Sequence, residues 1–140
     1  MRQMENGAVR IRAESSKASL TLVSNGHGPE ISVVYSSRAT GFTPLELQAA
    51  ALASCMDASL RGAARQEGCG PLGEVAVDVT AVLSDDAPTR LARFEIVASF
   101  GPALTDAQKT QLLGRATRLC TIHNTLTDAG TQIVTRHSGE

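Results

Sequence analysis

The chain has 140 residues, enough for one ordinary domain that buries its own core without disulfide staples, so residues 1–140 read as a single domain. Its 13 Lys and Arg nearly balance 14 Asp and Glu, and one Tyr with three Phe offers neither a basic field nor stacking platforms, so no nucleic-acid partner is expected. Three cysteines without a Cys-x-x-Cys pair, no positively charged start leading into an apolar run, and no apolar stretch of the ~20 residues that span a bilayer together predict a soluble, cytoplasmic protein with no membrane partner.

The first third predicts a small antiparallel meander. Val9 to Ala13 alternates, Leu20 to Val23 follows, and Asn25-Gly26 offers a turn before Ile31 to Tyr35. Thr43 as N-cap, Pro44 at the first helical position and Glu46 at the third then spell a capping box, with Phe42 and Leu47 placed as a hydrophobic staple. The helix they start can run to Gln66 or Glu67, where Gly68, Gly70 and Pro71 supply a left-handed stop and a breaker.

Beyond it, Val75, Val77, Val79, Ala81 and Leu83 alternate with more polar neighbours, and Leu91 to Phe100 alternates again with Phe94, Ile96, Ala98 and Phe100 on one face. A turn from Ser84 to Thr89 joins the two into a hairpin. Thr105 with Gln108 repeats the capping-box spacing and opens a helix carrying Leu112, Leu113, Ala116 and Leu119, with Cys120 at its end. A short helical turn through Ile122 and Leu126, a stop at Gly130 and a last strand around Thr131 to Thr135 complete a βββ-α-ββ-αα-β order, an α+β fold without repeat or interdomain linker.

The central helix is apolar on almost every side from Leu45 to Met56, and its many alanines leave it little bulk. Such a helix is predicted to be buried, yet a domain this small has few elements to enclose it; a homodimer packing two such helices across a two-fold axis would supply the cover. Cys55 sits about three turns into this helix, far from its positive end, so a reactive thiolate there needs a cation, and an isolated buried thiol would stay inert. Cys55 thus reads either as a core residue or as half of a redox pair with Cys120, and the sequence separation of the two thiols does not decide between these.

Pro44-Leu45-Glu46-Leu47 followed by Ala-Ala-Ala-Leu-Ala-Ser-Cys resembles the first cysteine motif of the OsmC/Ohr family, the osmotically inducible and organic hydroperoxide resistance proteins. Cys120-Thr121-Ile122-His123-Asn124 resembles the second, usually seen as Cys-Pro-x-Ser-Asn. Element order and both motifs match across essentially the whole chain. The resemblance implies an OsmC-like fold and an intertwined homodimer with its two thiols near the interface. It also implies Cys55 as the peroxidatic thiolate, Cys120 as the resolving thiol, an organic hydroperoxide as substrate, a lipoyl-type dithiol as reductant, and no metal or organic cofactor. An apolar pocket beside the thiol, for which Leu45, Leu52 and Met56 are suited, would favour alkyl or lipid-like peroxides.

Peroxidase members of that family place a Glu directly after the proline, where it pairs with an Arg from the early strands and holds it on the thiolate. Here that position is Leu45, and Glu46 lies about 100° further round the helix, better placed as the N3 residue of the cap. Arg12 and Arg38 are the candidate cations, while the loop comparable to the family's arginine turn reads Ser15-Ser16-Lys17. Thr121 and His123 replace the proline and serine of the second motif, a pattern nearer an OsmC-like branch than Ohr itself. His123, three residues after Cys120, is placed to tune that thiol; a zinc site made with both cysteines is disfavoured because only one closely spaced ligand pair exists. Cys69 in its Gly-Cys-Gly turn reads as exposed and incidental, and His27 and His137 as surface residues. Two functions follow: a thiol-dependent peroxidase, and an OsmC-like stress or small-apolar-ligand-binding protein lacking efficient turnover because the Glu-positioned Arg is missing.

Overall fold

Pairing at the first turn decides where the chain's first strand lies. In the computed structural model, which describes residues 7–36 and 38–139, Lys17 pairs with Leu20 across Ala18-Ser19, so β1 (Arg12–Lys17) runs back along β2 (Leu20–Ser24) with Arg12 opposite Ser24. The expected strand at Val9 to Ala13 is therefore displaced: Val9 and Ile11 precede β1 and are exposed, and Ser15-Ser16-Lys17 is strand, not loop. Alternation marks a strand, but the turn that closes a hairpin sets its register. β3 (Glu30–Val34) pairs antiparallel with β2, Leu20 opposite Val34, after a turn in which the His27 amide donates to Asn25 Oδ1 at 2.9 Å. The sheet order is β1-β2-β3.

The chain next folds back onto β3. The Val34 amide donates to the Phe42 carbonyl at 3.0 Å and the Phe42 amide to the Ser32 carbonyl. Gly41 between them has φ +139°, and a Cβ there would stand 2.9 Å from the Ser32 carbonyl oxygen, so glycine is required on both counts. Helix α1 (Pro44–Gln66) opens on the expected capping box: the Glu46 amide donates to Thr43 Oγ1 at 3.2 Å and the Thr43 hydroxyl to Glu46 Oε1 at 2.9 Å. It closes on a Schellman motif, with the Gly68 amide on the Arg65 carbonyl, the Cys69 amide on the Ala64 carbonyl, and Gly68 at φ +69°.

The chain divides into two units, Met1–Gln48 and Ala49–Glu140. In the second, β4 (Val75–Leu83) and β5 (Leu91–Phe100) form an antiparallel hairpin whose register sets Val75 opposite Phe100, Val77 opposite Ala98 and Val79 opposite Ile96. These six residues line one face and pack against a core of Leu52, Met56 and Leu60 from α1 with Leu112 and Ala116 from α2 (Asp106–Leu119). Leu83 leaves the alternation because the register shifts after Val82, and it is exposed. The expected box opens α2, with the Gln108 amide on Thr105 Oγ1 and the Thr105 amide on Gln108 Oε1 at 2.9 Å. Arg115 donates to both Glu67 and Gln66, and Gln111 to Glu67 at 2.9 Å, tying α2 to the end of α1. Helix α3 (Thr121–Thr127) follows immediately.

The central helix is buried along one face only, through Leu52, Met56, Leu60, Ala63 and Ala64, while Ala50, Ser54 and Ala58 are exposed, because this unit supplies packing elements on a single side. The strand expected at Thr131 to Thr135 does not form: no described sheet edge accepts its backbone, and Ile133 and Val134 are 90% and 86% exposed. Among the described residues no helix is long and apolar enough to cross a membrane.

Candidate functional site

Cys120 occupies the break between two helices. It is C-cap of α2, its amide donating to the Ala116 carbonyl at 2.9 Å, and at the same time N-cap of α3. In the second role its sulfur does what a Ser or Thr hydroxyl does elsewhere, accepting the His123 amide at 3.4 Å. Its backbone is extended (φ −73°, ψ 109°), which turns the chain between α2 and α3. Asn124 holds that turn closed, with its amide on the Cys120 carbonyl at 3.0 Å and Nδ2 on the Arg118 carbonyl at 3.2 Å. Cys120 is fully buried within the core cluster.

The same break faces α1 at Cys55. All three cysteines are unbridged, and Cys55 packs on the core cluster that holds Cys120, where each thiol shifts the ionisation of the other. The first amides of a helix have no partner within it. Here the Thr121 and Ile122 amides, at the first two positions of α3, and the Ser59 hydroxyl, one turn further along α1, all favour the ionised form of Cys55. Cys55 is thus half-buried, with polar groups nearby that favour its thiolate.

These surroundings drive the two thiols apart. Burial raises the Cys55 thiol, but the Ile122 amide, the Cys120 thiol, the Thr121 amide and Ser59 together outweigh it, so Cys55 ionises below its ordinary range. Burial also raises Cys120; the His123 amide opposes this, while the hydrogen bond and negative charge of Cys55 reinforce it, and Cys120 is held above its ordinary range. As pH rises, Cys55 therefore becomes a thiolate first, beside a protonated Cys120.

The other candidate residues lie elsewhere or act differently. Arg12 is exposed and ion-paired with Glu14, Arg38 is exposed with its amide on Ser36 Oγ, and Glu46 is engaged in the Thr43 cap. Among the described residues, the groups that lower the Cys55 thiol are Ile122, Cys120, Thr121 and Ser59, and none of them is a cation. His123 reaches Cys120 through its backbone amide; its Nδ1 is a buried atom without a hydrogen-bond partner. Cys69 is half-buried and packed on the core, because the residue after a Schellman glycine folds back over the last helical turn. Leu52 and Met56 are core residues, and Leu45 is 45% exposed. An open groove of about 600 Å³ lined by Arg61, Glu74, Val75, Ser99 and Phe100 contains neither thiol. Among the described residues no cluster of three His, Cys, Asp or Glu is arranged to hold a metal. The sequence reading does not single out Ser59 or the amides of α3; for Ser59 the signal is its spacing of four from Cys55, whereas a backbone donor has no side-chain signature.

Residues 37–136 match the family model for OsmC, described as OsmC-like protein. The OsmC like protein from Mycoplasma pneumoniae has a similar structure, with TM-score 0.79 at 18% identity, over 89% of this chain and 91% of that one. An organic hydroperoxide resistance protein from Elizabethkingia anophelis is similar with TM-score 0.71 at 20% identity, over 92% and 93% of the two chains. An organic hydroperoxide resistance protein OsmC from Legionella pneumophila is similar with TM-score 0.65 at 14% identity, over 89% and 92%. Comparison with curated proteins gave no match. At these identities the likeness between structures concerns the fold.

Proposed function

The chain belongs to the OsmC-like protein family, and from that premise we propose that it is a thiol-dependent peroxidase of organic hydroperoxides, with Cys55 attacking and Cys120 resolving. One observation carries this reading: two thiols 65 positions apart in sequence meet, Cys55 packing on the core cluster that holds Cys120, with one favoured as thiolate and the other as thiol. A structural cysteine has no need of surroundings that favour its ionised form, whereas a nucleophilic thiolate does.

The chemistry balances with these two residues and a dithiol. The Cys55 thiolate attacks the terminal oxygen of ROOH; an S–O bond forms, the O–O bond breaks, and the alkoxide leaves and takes a proton from water. Sulfur is oxidised by two electrons to a sulfenic acid and the peroxide is reduced to ROH. The Cys120 sulfur then displaces the sulfenic hydroxyl as water, giving the Cys55–Cys120 disulfide. A dithiol of lipoyl type reduces this by two exchanges, leaving as its own disulfide and restoring both thiols. No metal or organic cofactor enters.

The outward residues Ala50, Ser54 and Ala58 leave α1 with a small-residue face that a second copy would cover, and a homodimer is part of this reading. Light scattering is expected to give the mass of two chains; the mass of one chain overturns it. A stress-response role in the cytoplasm fits the same chemistry. A second reading, a binding protein for small apolar ligands without efficient turnover, is favoured by Leu45 standing exposed where peroxidase members of the family carry Glu.

Stopped-flow mixing of the reduced protein with cumene hydroperoxide separates the two. Rapid loss of two thiols per chain, abolished in Cys55→Ser, is the expected result. A rate no faster than that of free cysteine sinks the peroxidase and leaves the binding protein.

A further inference from the structure

Every polar group of Cys120 has a fixed partner. Its amide donates to the Ala116 carbonyl at 2.9 Å, its carbonyl accepts the Asn124 amide at 3.0 Å, and its sulfur accepts the His123 amide at 3.4 Å. These partners are backbone groups, which any residue but proline could supply at positions 123 and 124. The remaining bond at this break depends on one side chain. Asn124 Nδ2 reaches back to the Arg118 carbonyl at 3.2 Å, in the last turn of α2, where carbonyls have no partner within the helix. Among the described residues it is the side-chain hydrogen bond that crosses from α3 to α2.

We propose that Asn124 is a positioning residue for Cys120, its carboxamide locking the α2–α3 break so that the Cys120 sulfur is held toward Cys55 for the disulfide-forming step, an inference that rests on the resolving role given to Cys120 above. A cysteine sulfur stands one rotatable bond from its backbone, so the backbone decides where it points. Cys55 lies within the continuous helix α1, whose own hydrogen bonds fix it. Cys120 instead lies between two helices, at φ −73° and ψ 109°, and α3 has seven residues, too few to be stable alone. Ile122 and Leu126 pack α3 on the core, and Asn124 adds the directional tie that sets its angle to α2. A nucleophile held in place outpaces one that must find its geometry, and only the second step of the reaction uses Cys120 as nucleophile.

Asn124→Leu keeps the branched outline of the side chain without its donor, and Asn124→Ala removes the whole carboxamide. Leu and Ala are better helix formers than Asn, so a loss in either variant does not come from a weakened α3. Thr125→Ala is the control, since its hydroxyl bonds the Thr121 carbonyl at 2.9 Å within α3, and circular dichroism checks folding. The reduced protein is equilibrated with glutathione and glutathione disulfide. As the Cys55–Cys120 disulfide forms, glutathione disulfide takes up two electrons and leaves as two thiols; acid quenching and mass spectrometry give the oxidised fraction.

Asn124→Leu and Asn124→Ala are each expected to lower the equilibrium constant for this disulfide roughly tenfold, about the size of one neutral hydrogen bond, and Thr125→Ala to leave it unchanged. With cumene hydroperoxide, at a pH above the Cys55 midpoint of each variant, both Asn124 variants are expected to form the sulfenic acid at the wild-type rate and to close the disulfide roughly tenfold more slowly. An equilibrium constant unmoved in both Asn124 variants, or lowered as far in Thr125→Ala, overturns the proposal. Equal slowing of both steps also overturns it, because Asn124 then supports the whole site. A protein inert to cumene hydroperoxide whose glutathione equilibrium still shifts defeats the peroxidase and leaves the positioning of Cys120 standing.

Discussion

Replacing Cys120 by Ser is expected to leave the first reaction with hydroperoxide intact and to cut steady-state consumption with a dithiol by at least about a hundredfold, since a thiol held beside the sulfenic acid outpaces one in solution by orders of magnitude. The coupling between the thiols explains why both steps run in one site. While Cys55 is a thiolate, its charge and its hydrogen bond keep Cys120 protonated, in addition to the burial that raises it. Oxidation to a neutral sulfenic acid removes that charge, so Cys120 ionises more readily at the moment its nucleophilicity is needed. A serine retains an oxygen for the His123 amide and so keeps the α3 cap, which makes the variant a test of chemistry and not of folding. Dimedone should trap one sulfenic acid per chain, at Cys55, in Cys120→Ser and little in wild type. Undiminished turnover in Cys120→Ser would remove Cys120 from the mechanism.

What could be read from the sequence was local. Both capping boxes, the glycine stop at Gly68 and the β4–β5 alternation depend on residues within a few positions of each other, and the structure contains them all. Where partners are distant the reading failed. The first strand lies at Arg12–Lys17 because of the Lys17–Leu20 turn, and Thr131 to Thr135 alternates without a described edge to join. The motifs named the two cysteines of the candidate site, but their contact depends on how α3 packs against α1. The groups that lower the Cys55 thiol are less legible still. Two of them are backbone groups, and a search for a cation follows from considering only the dipole of the helix on which Cys55 lies, whereas the amides come from the start of another.

The largest stability effect is expected at Leu60. Its side chain is completely buried, in the same cluster as Leu112, Ala116 and Cys120, and a unit of this size has few other large aliphatic residues at its centre. Leu60→Ala leaves a cavity among neighbours on both helices, which relax only in part, and should cost about 2–5 kcal/mol. That corresponds to a fall in Tm of about 10 °C, with an unchanged slope in urea if the unfolded chain is unaltered. Leu45→Ala provides the contrast: its side chain is 45% exposed in the single chain, and about 1 kcal/mol or less should be lost. A matching loss at Leu45 would mean that its exposed surface is covered in solution, and a second copy of the chain is the cover proposed for α1. Equal and small losses at both positions would instead contradict the one-sided burial of the helix, since the core it builds beneath the thiols would then not depend on Leu60.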